Sequence, residues 1–150
     1  MPDHQYPLSK TEFDSIYSKV PRLTVEVIVK NKNGAIFLTK RAIEPCKGQW
    51  HLPGGTVYFG ELLFESVKRI AAKELNIKVL QATNKGYIEY PSHYLNGLDS
   101  PVGIVFEVSE YEGKLQIDSE ALDGGWFTKL PDNIHADQDE FLLKHKYLKS

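Results

Sequence analysis

The sequence contains a single cysteine, Cys46, among its 150 residues. One cysteine cannot form an internal disulfide, and it excludes a zinc site built from four cysteines. Chains with so little cysteine are typical of reducing compartments. Residues 1–4 carry neither the basic nor the apolar region of a secretory signal peptide. We therefore expect a cytoplasmic protein.

Long apolar runs and an excess of basic charge are also missing. No stretch approaches the roughly 18 apolar residues that a membrane-spanning helix needs. Eighteen basic residues stand against twenty acidic ones, without the surplus of lysine and arginine that marks most nucleic-acid-binding surfaces. We expect a small-molecule partner rather than a nucleic acid or a membrane.

The chain does have enough apolar residues for a core of ordinary size. It is 41% hydrophobic, which predicts one globular domain over residues 1–150. A capping box that starts at Ser9 predicts a helical leader within residues 1–21. At the other end, Asp137 is expected to cap a helix within residues 132–150.

Alternating apolar residues predict several strands between these two ends. Residues 23–29 alternate, turn residues follow at 31–34, and a second apolar run begins at residue 35, which predicts a β-hairpin. Further strands are predicted at residues 79–90, 102–108 and 126–128, with a loop at 91–101. Together with a central helix, this order favours an α+β fold.

The most informative segment joins a pair of glycines, Gly54 and Gly55, to an amphipathic helix. Residues 61–75 show helical periodicity, and Asn76 is suited to a left-handed cap at their end. A glycine-rich loop permits close approach of the backbone to a ligand. We expect the chemistry at this junction.

Glu74 falls on the apolar arc of that helix, within roughly 40° of Val67 and Ile70 at roughly 100° per residue. A carboxylate there costs free energy unless it is paired, hydrogen-bonded or bound to a cation, so Glu74 is the best candidate for a metal ligand. The alternative is a last-turn glutamate that reaches water. Glu61 and Arg69, on the polar side, would by themselves predict a solvated salt-bridge ladder.

Taken together, these residues resemble the Nudix box, Gly-x5-Glu-x7-Arg-Glu-U-x-Glu-Glu-x-Gly-U, in which U is aliphatic. Six positions match the box: Gly55, Glu61, Arg69, Ala71, Glu74 and Ile77. Three positions depart from it: Ile70, Lys73 and Asn76. Flanking segments at 52–55 and 126–131 resemble the family as well, so the likeness spans residues 22–131.

The resemblance implies a Nudix fold, an α/β/α sandwich around a mixed β-sheet. It implies a hydrolase of a nucleoside diphosphate linked to another group, dependent on Mg²⁺ with Mn²⁺ as a substitute. The Gly54 carbonyl and Glu74 would hold the ion, and Glu61 and Arg69 would fix the loop to the helix. A homodimer is expected from family analogy alone.

Ile70 and Lys73 replace two box carboxylates, so fewer metal ions are expected to bind. One branch of the family, the GDP-mannose mannosyl hydrolases, also lacks these carboxylates, works with a single Mg²⁺ and cleaves at the sugar carbon. Resemblance to that branch implies that Arg41 contacts a phosphate and that Glu26 faces the leaving group. Glu26 has a simpler alternative, the solvent side of a half-buried strand.

The chain also departs from that branch. Thr56 stands where the branch has arginine, although Gly55 and Thr56 are still expected to contact the substrate. The Gln-His pair of the branch aligns with residues 120–121, so its general base is absent. We nominate Glu120 as metal ligand and base, with Asp123 as the second choice and Arg69 as a further catalytic residue.

The remaining histidines and the cysteine suggest no site of their own. His4, His51 and His93 lack the spacing of a zinc site, His135 is expected in a loop or cap, and Cys46 is expected to be incidental.

Two alternatives for the function stay open. One is a Nudix-fold binding module without catalysis, and the other is a conventional pyrophosphatase acting on ADP-ribose-like or dinucleotide substrates.

Overall fold

The computed structural model describes residues 6–150, so residues 1–5, including His4, lie outside the described part. The elements follow in this order: α1 (Lys10–Tyr17), β1 (Arg22–Val29), β2 (Ile36–Arg41), β3 (Trp50–His51), β4 (Gly54–Thr56), α2 (Leu63–Leu75), β5 (Lys78–Glu89), α3 (Pro91–Leu95), β6 (Pro101–Glu112), β7 (Ala121–Phe127) and α4 (Asp139–Lys144). None of the described helices is long and apolar enough to cross a membrane. The predicted capping box is confirmed, because the Glu12 amide donates to Ser9 Oγ over 3.2 Å.

The strands form two sheets. The larger has the order β4-β1-β6-β5 and is mixed, because β1 runs parallel to β6 while its other pairs are antiparallel. The smaller has the order β3-β2-β7 and is antiparallel. The predicted hairpin is therefore wrong: β1 and β2 belong to different sheets and are linked only at the turn, by a bridge between Lys30 and Ile36.

The larger sheet is buried on both faces. Val25 and Val27 of β1 pack on one face with Val67 and Ala71 of α2. Ile28, on the opposite face, joins a second core that includes Leu142 of α4. Burial on both faces explains why β1 is continuously buried from residue 24 onward, and it matches the layered arrangement that the Nudix resemblance implied.

Helix α2 begins two residues later than predicted. Its N-cap is Leu62, which makes no side-chain cap, and Glu61 lies in the turn before the helix. The later start matters because Glu61 is then free to bond to the loop as well as to the helix. At the other end Asn76 takes the left-handed conformation with φ of 57°, as predicted.

Three further boundaries correct the sequence analysis. The predicted loop 91–101 contains a short helix, α3, with Pro91 in its first turn, a position where proline is well tolerated. Helix α4 is capped at Gln138 and not at Asp137, whose carboxylate instead accepts from the Ser92 hydroxyl. Strand β7 starts five residues earlier than predicted, because residues 121–125 also pair with β2, and the glycine at Gly124 leaves room for the Phe37 ring beside the strand.

Candidate functional site

Glu74, in the last turn of α2, faces the start of β4. Its Oε2 accepts a hydrogen bond from the Gly54 amide over 3.1 Å. Burial raises the pKa of Glu74 to about 8, and the negative charges of Glu26 and Asp118 raise it further. Only the Gly54 amide and the charge of Lys73 favour the ionised form of Glu74. Half-buried carboxylate oxygens that repel one another are stabilised by a hard divalent cation.

Three acidic side chains border a small cavity of about 50 Å³ at this point. Glu74, Asp118 and Glu120 all line it. Glu120 is 61% exposed, and its Oε1 lies 3.7 Å from Lys73 Nζ. The sequence analysis paired Glu74 with Glu120 but missed Asp118. Asp123 is exposed on β7 opposite Lys40 and lines neither of the two cavities described here.

Glu61 and Arg69 connect α2 to the glycine loop. Arg69 donates to Glu61 over 2.7 Å and to the Thr56 carbonyl over 2.8 Å. Glu61 also accepts from the Tyr58 amide and the Ser66 hydroxyl. The Arg69 hydrogen bond is the largest cause that holds the pKa of Glu61 down to about 2. The solvated-ladder interpretation is therefore wrong, since the pair holds loop and helix together from behind.

Glu26, in the middle of β1, is 6% exposed, so the alternative of a solvent-facing strand position is wrong. Its Oε1 accepts from Thr24 over 3.0 Å and from Tyr90 over 2.9 Å. Glycines flank the carboxylate on both neighbouring strands: a Cβ at Gly54 would collide with Oε2, and one at Gly103 would lie 2.6 Å from Oε1. Burial raises the pKa of Glu26 to about 7.

The Glu26 carboxylate forms part of the wall of a second, larger cavity of about 600 Å³. Five residues predicted from the sequence line it together: Glu26, Arg41, Gly54, Gly55 and Thr56. Arg41 and His51 line both cavities, so the two adjoin at these side chains. The volume is typical of sites that enclose a ligand of nucleotide size.

Arg22, at the start of β1, was not predicted as a site residue. Its Nη1 donates to Thr56 Oγ1 over 2.9 Å, and its Nε pairs with Asp99 over 2.6 Å. The guanidinium therefore lies beside the residue at which the GDP-mannose branch has its own arginine. Nothing in the linear sequence marks Arg22, because β1 and β4 are separated by more than 20 residues and meet only in the sheet.

Cys46, His93 and His135 also line the larger cavity, and they lie together. Their ligand atoms are all within 4.8 Å of one another. The sequence analysis gave these residues no common site, and the fold brings them together from the β2–β3 loop, helix α3 and the loop before α4, where His135 lies as predicted. Burial, followed by the charge of His93, lowers the pKa of His135 to about 4, so its ring is neutral near pH 7.

The family model of the NUDIX domain matches residues 20–143. The chain belongs to this family. It is 31% identical over 113 residues to the low-salt glycan biosynthesis protein Agl8 of Haloferax volcanii, covering 73% of this chain and 72% of that one. It is 25% identical over 134 residues to the 8-oxo-dGDP phosphatase NUDT18 of Mus musculus. That alignment covers 87% of this chain but only 40% of the mouse protein.

A solved MutT Nudix hydrolase from Burkholderia pseudomallei has a similar structure, with a TM-score of 0.72 and 28% identity. The alignment covers 79% of this chain and 94% of the other. These findings confirm the Nudix fold and the recognition made from the box residues. They also place the chain in a family of hydrolases.

Proposed function

We propose that this Nudix protein is a Mg²⁺-dependent hydrolase of a nucleoside diphosphate linked to a sugar, with GDP-mannose the first substrate to test. One observation carries the proposal. A cavity large enough for a nucleotide sugar, with two arginines in its wall, adjoins a smaller cavity lined by three carboxylates, and carboxylate oxygens are the ligands that a hard divalent ion prefers. A relative named for glycan biosynthesis supports a sugar-containing substrate.

The residues at the junction of the two cavities supply the binding groups. We propose that the Gly54 carbonyl, Glu74 and Glu120 hold one Mg²⁺, which neutralises diphosphate charge when it is bound. Gly55 and Thr56 would border the bound substrate. Glu61 would keep the loop in place through Arg69, so we assign Arg69 a positioning role.

Arg22 and Arg41 are the cations proposed to contact the phosphates. A guanidinium matches phosphate oxygens through two parallel N–H donors, and it stays charged at every physiological pH. Arg41 Nε already donates to the Ile43 carbonyl, which orients the side chain, and its remaining N–H groups can serve a ligand. Arg22 is oriented in the same way by Asp99.

Glu26 and Glu120 are proposed as the proton-transfer groups. The raised pKa of Glu26 keeps a large fraction of it protonated near neutral pH, so it can hold a proton at the leaving-group oxygen. Glu120 is exposed enough to meet water and would act as the base. Asp123 remains the second choice for this role, but it lies outside both cavities.

The test is turnover of a panel of nucleotide sugars and dinucleotides, with Mg²⁺ or Mn²⁺, in wild type and in Glu74→Gln. We expect the substitution to abolish Mg²⁺-dependent turnover, because it removes the charge that binds the ion. Glu65→Gln, an exposed position on the same helix, is the matched control and should keep activity. Full activity in Glu74→Gln would refute the assignment of Glu74.

Hydrolysis in ¹⁸O-labelled water identifies the bond that breaks. Label in the sugar means attack at carbon, as in the GDP-mannose branch. Label in the phosphate means attack at phosphorus and would favour a conventional pyrophosphatase acting on ADP-ribose-like substrates.

A second candidate function is a nucleotide-binding module without catalysis. Two contacts favour it. Lys73 pairs with Glu120, and Ile70 offers an apolar side chain in place of a carboxylate. The Ile70 side chain packs beneath Gly55, with its Cδ1 3.2 Å from the position that a Cβ on residue 55 would take. Calorimetry separates the two candidates. Tight binding of a nucleotide sugar without turnover across the panel would support the module.

A further inference from the structure

We propose that Cys46, His93 and His135 form a site for a soft divalent metal ion such as Zn²⁺, with its fourth position open to the larger cavity. The inference is independent of the proposed function, because it concerns residues outside the acidic cluster around Glu74. It rests on the geometry of three side chains and on the groups that orient them.

The three ligand atoms are close to the spacing that a tetrahedral ion requires. His93 Nε2 and His135 Nε2 are 3.0 Å apart, and all three ligand atoms lie within 4.8 Å of one another. Tetrahedral Zn²⁺ places two nitrogens about 3.3 Å apart and a nitrogen about 3.6 Å from a sulfur. Side-chain movements of about an ångström would therefore complete the site.

The backbone holds the three residues in place from separate parts of the fold. His93 lies in α3, and Cys46 lies in the loop between β2 and β3, where its φ of 67° is in the left-handed region. The His135 amide donates to the Trp50 carbonyl over 2.8 Å, and its carbonyl accepts from the Gln138 amide over 3.0 Å. Helix α3 and backbone hydrogen bonds thus hold the two histidines, and a hydrogen bond of 3.1 Å from the Gln49 amide to the Cys46 carbonyl fixes the turn that carries the thiol.

Hydrogen bonds on the far side of His93 match those of metal-bound histidines. Its Nδ1 lies 2.9 Å from Asp99 Oδ1, and Arg22 holds the same carboxylate. If Nδ1 carries the proton, the Nε2 lone pair is directed at the cluster. A carboxylate behind a histidine in this way fixes the ring and raises its basicity as a ligand.

Without a bound ion, the hydrogen bonds of His135 favour the tautomer that carries its proton on Nε2. Its Nδ1 accepts from the Asp137 amide over 3.1 Å, so its Nε2 carries the proton and donates to His93 Nε2. Binding of an ion through His135 Nε2 would require that proton to move to Nδ1, and the ion would then lie between the two rings. The cost is the hydrogen bond from the Asp137 amide.

The chemistry of the donors selects the ion. One sulfur and two imidazole nitrogens suit Zn²⁺ or another borderline-soft cation, whereas Mg²⁺ prefers oxygen ligands. Three protein ligands leave one position free, as in zinc sites that bind water or substrate. Because all three residues line the larger cavity, that position opens toward a bound ligand.

Cobalt substitution tests the site directly. The purified chain is stripped with a chelator and titrated with Co²⁺ and, separately, with Zn²⁺. We expect one zinc per chain, and we expect Co²⁺ to give a near-ultraviolet sulfur-to-metal charge-transfer band with intense tetrahedral bands in the visible range. No charge-transfer band in the folded wild-type chain would overturn the proposal.

Variants identify the ligands. His93→Gln and His135→Gln should each weaken Zn²⁺ binding by at least about tenfold, and Cys46→His should keep zinc while losing the charge-transfer band. His145→Gln, an exposed histidine away from the cluster, and Glu74→Gln should both keep the band. Circular dichroism confirms folding in each case. Unchanged zinc affinity in folded His93→Gln and His135→Gln would overturn the site, as would loss of the band in Glu74→Gln.

Discussion

The Glu61 carboxylate accepts hydrogen bonds from Tyr58, Ser66 and Arg69, and only 12% of the side chain is exposed. Its pKa is held at about 2, below the usual 4.5, mainly by Arg69. A lowered pKa in the folded state means that the ionised carboxylate stabilises the fold. That stabilisation is complete above pH 4.5 and is lost as the pH falls toward 2.

Glu61→Gln should therefore lower the free energy of unfolding at pH 7 by about 2 kcal/mol. The lowering of the Glu61 pKa from 4.5 to about 2 corresponds to roughly 3 kcal/mol. Solvent screening at the partly exposed Arg69 side chain makes the actual stabilisation smaller. Denaturant unfolding at pH 7 and at pH 3 measures the difference, which should shrink at the lower pH.

Glu65→Gln, on the exposed side of α2, is the control for the Glu61 substitution and should change stability by less than about 0.5 kcal/mol. A difference between wild type and Glu61→Gln that is independent of pH would show that the carboxylate charge is not responsible.

At the scale of an element, α1 differs from the other helices because none of its residues is buried. One side of it nevertheless lines the larger cavity, through Lys10, Phe13, Asp14 and Tyr17. The Phe13 ring also lies 5.3 Å from the Arg22 guanidinium, which ties the helix to the cavity wall. Helix α1 thus contributes to the site more than to the core.

Phe13→Ala should raise KM for the nucleotide sugar about three- to tenfold with little change in kcat. The ring offers an apolar surface for stacking, worth about 0.5–1.5 kcal/mol, and it orients Arg22. Steady-state kinetics measures both constants.

Ile16→Ala is the matched control for Phe13→Ala, because Ile16 is an exposed residue of the same helix that does not line the cavity. It should leave both constants unchanged. A lower kcat with an unchanged KM in Phe13→Ala would contradict the binding role of α1.

For the molecule as a whole, stability depends on two cores on opposite faces of the larger sheet. The second core includes the short helix α4, whose Leu142 is fully buried beside the strands. The cap of that helix, Gln138, also accepts from the Leu52 amide and donates to the Tyr90 hydroxyl, so the core and the wall of the larger cavity share an anchor. The single domain and the homodimer expected from the sequence stay predictions.

Leu142→Ala should lower the free energy of unfolding by about 2–5 kcal/mol, because it leaves a cavity in a packed core. Leu143→Ala, at the neighbouring and exposed position, should change it by less than about 0.5 kcal/mol. Denaturant unfolding compares the two. Equal effects of the two substitutions would show that α4 does not close the second core.

The sequence by itself determined the family, the order of the main strands and helices, and the glycine-helix unit. Gly54, Gly55, Glu61, Arg69 and Glu74 lie within about 20 residues, and their spacing is set by helical geometry and one loop. Such local constraints can be recognised from the chain alone. The same local information could not place the start of α2 or the sheet to which β2 belongs.

Only the tertiary structure decided which distant residues share the site. Arg22, Asp118 and Gly103 come from separate strands and loops, and no spacing in the chain marks them. The cluster of Cys46, His93 and His135 arises in the same way, because two loops and helix α3 meet at one cavity. Contacts of this kind depend on strand order and on loop closure, which are set by how the whole core packs.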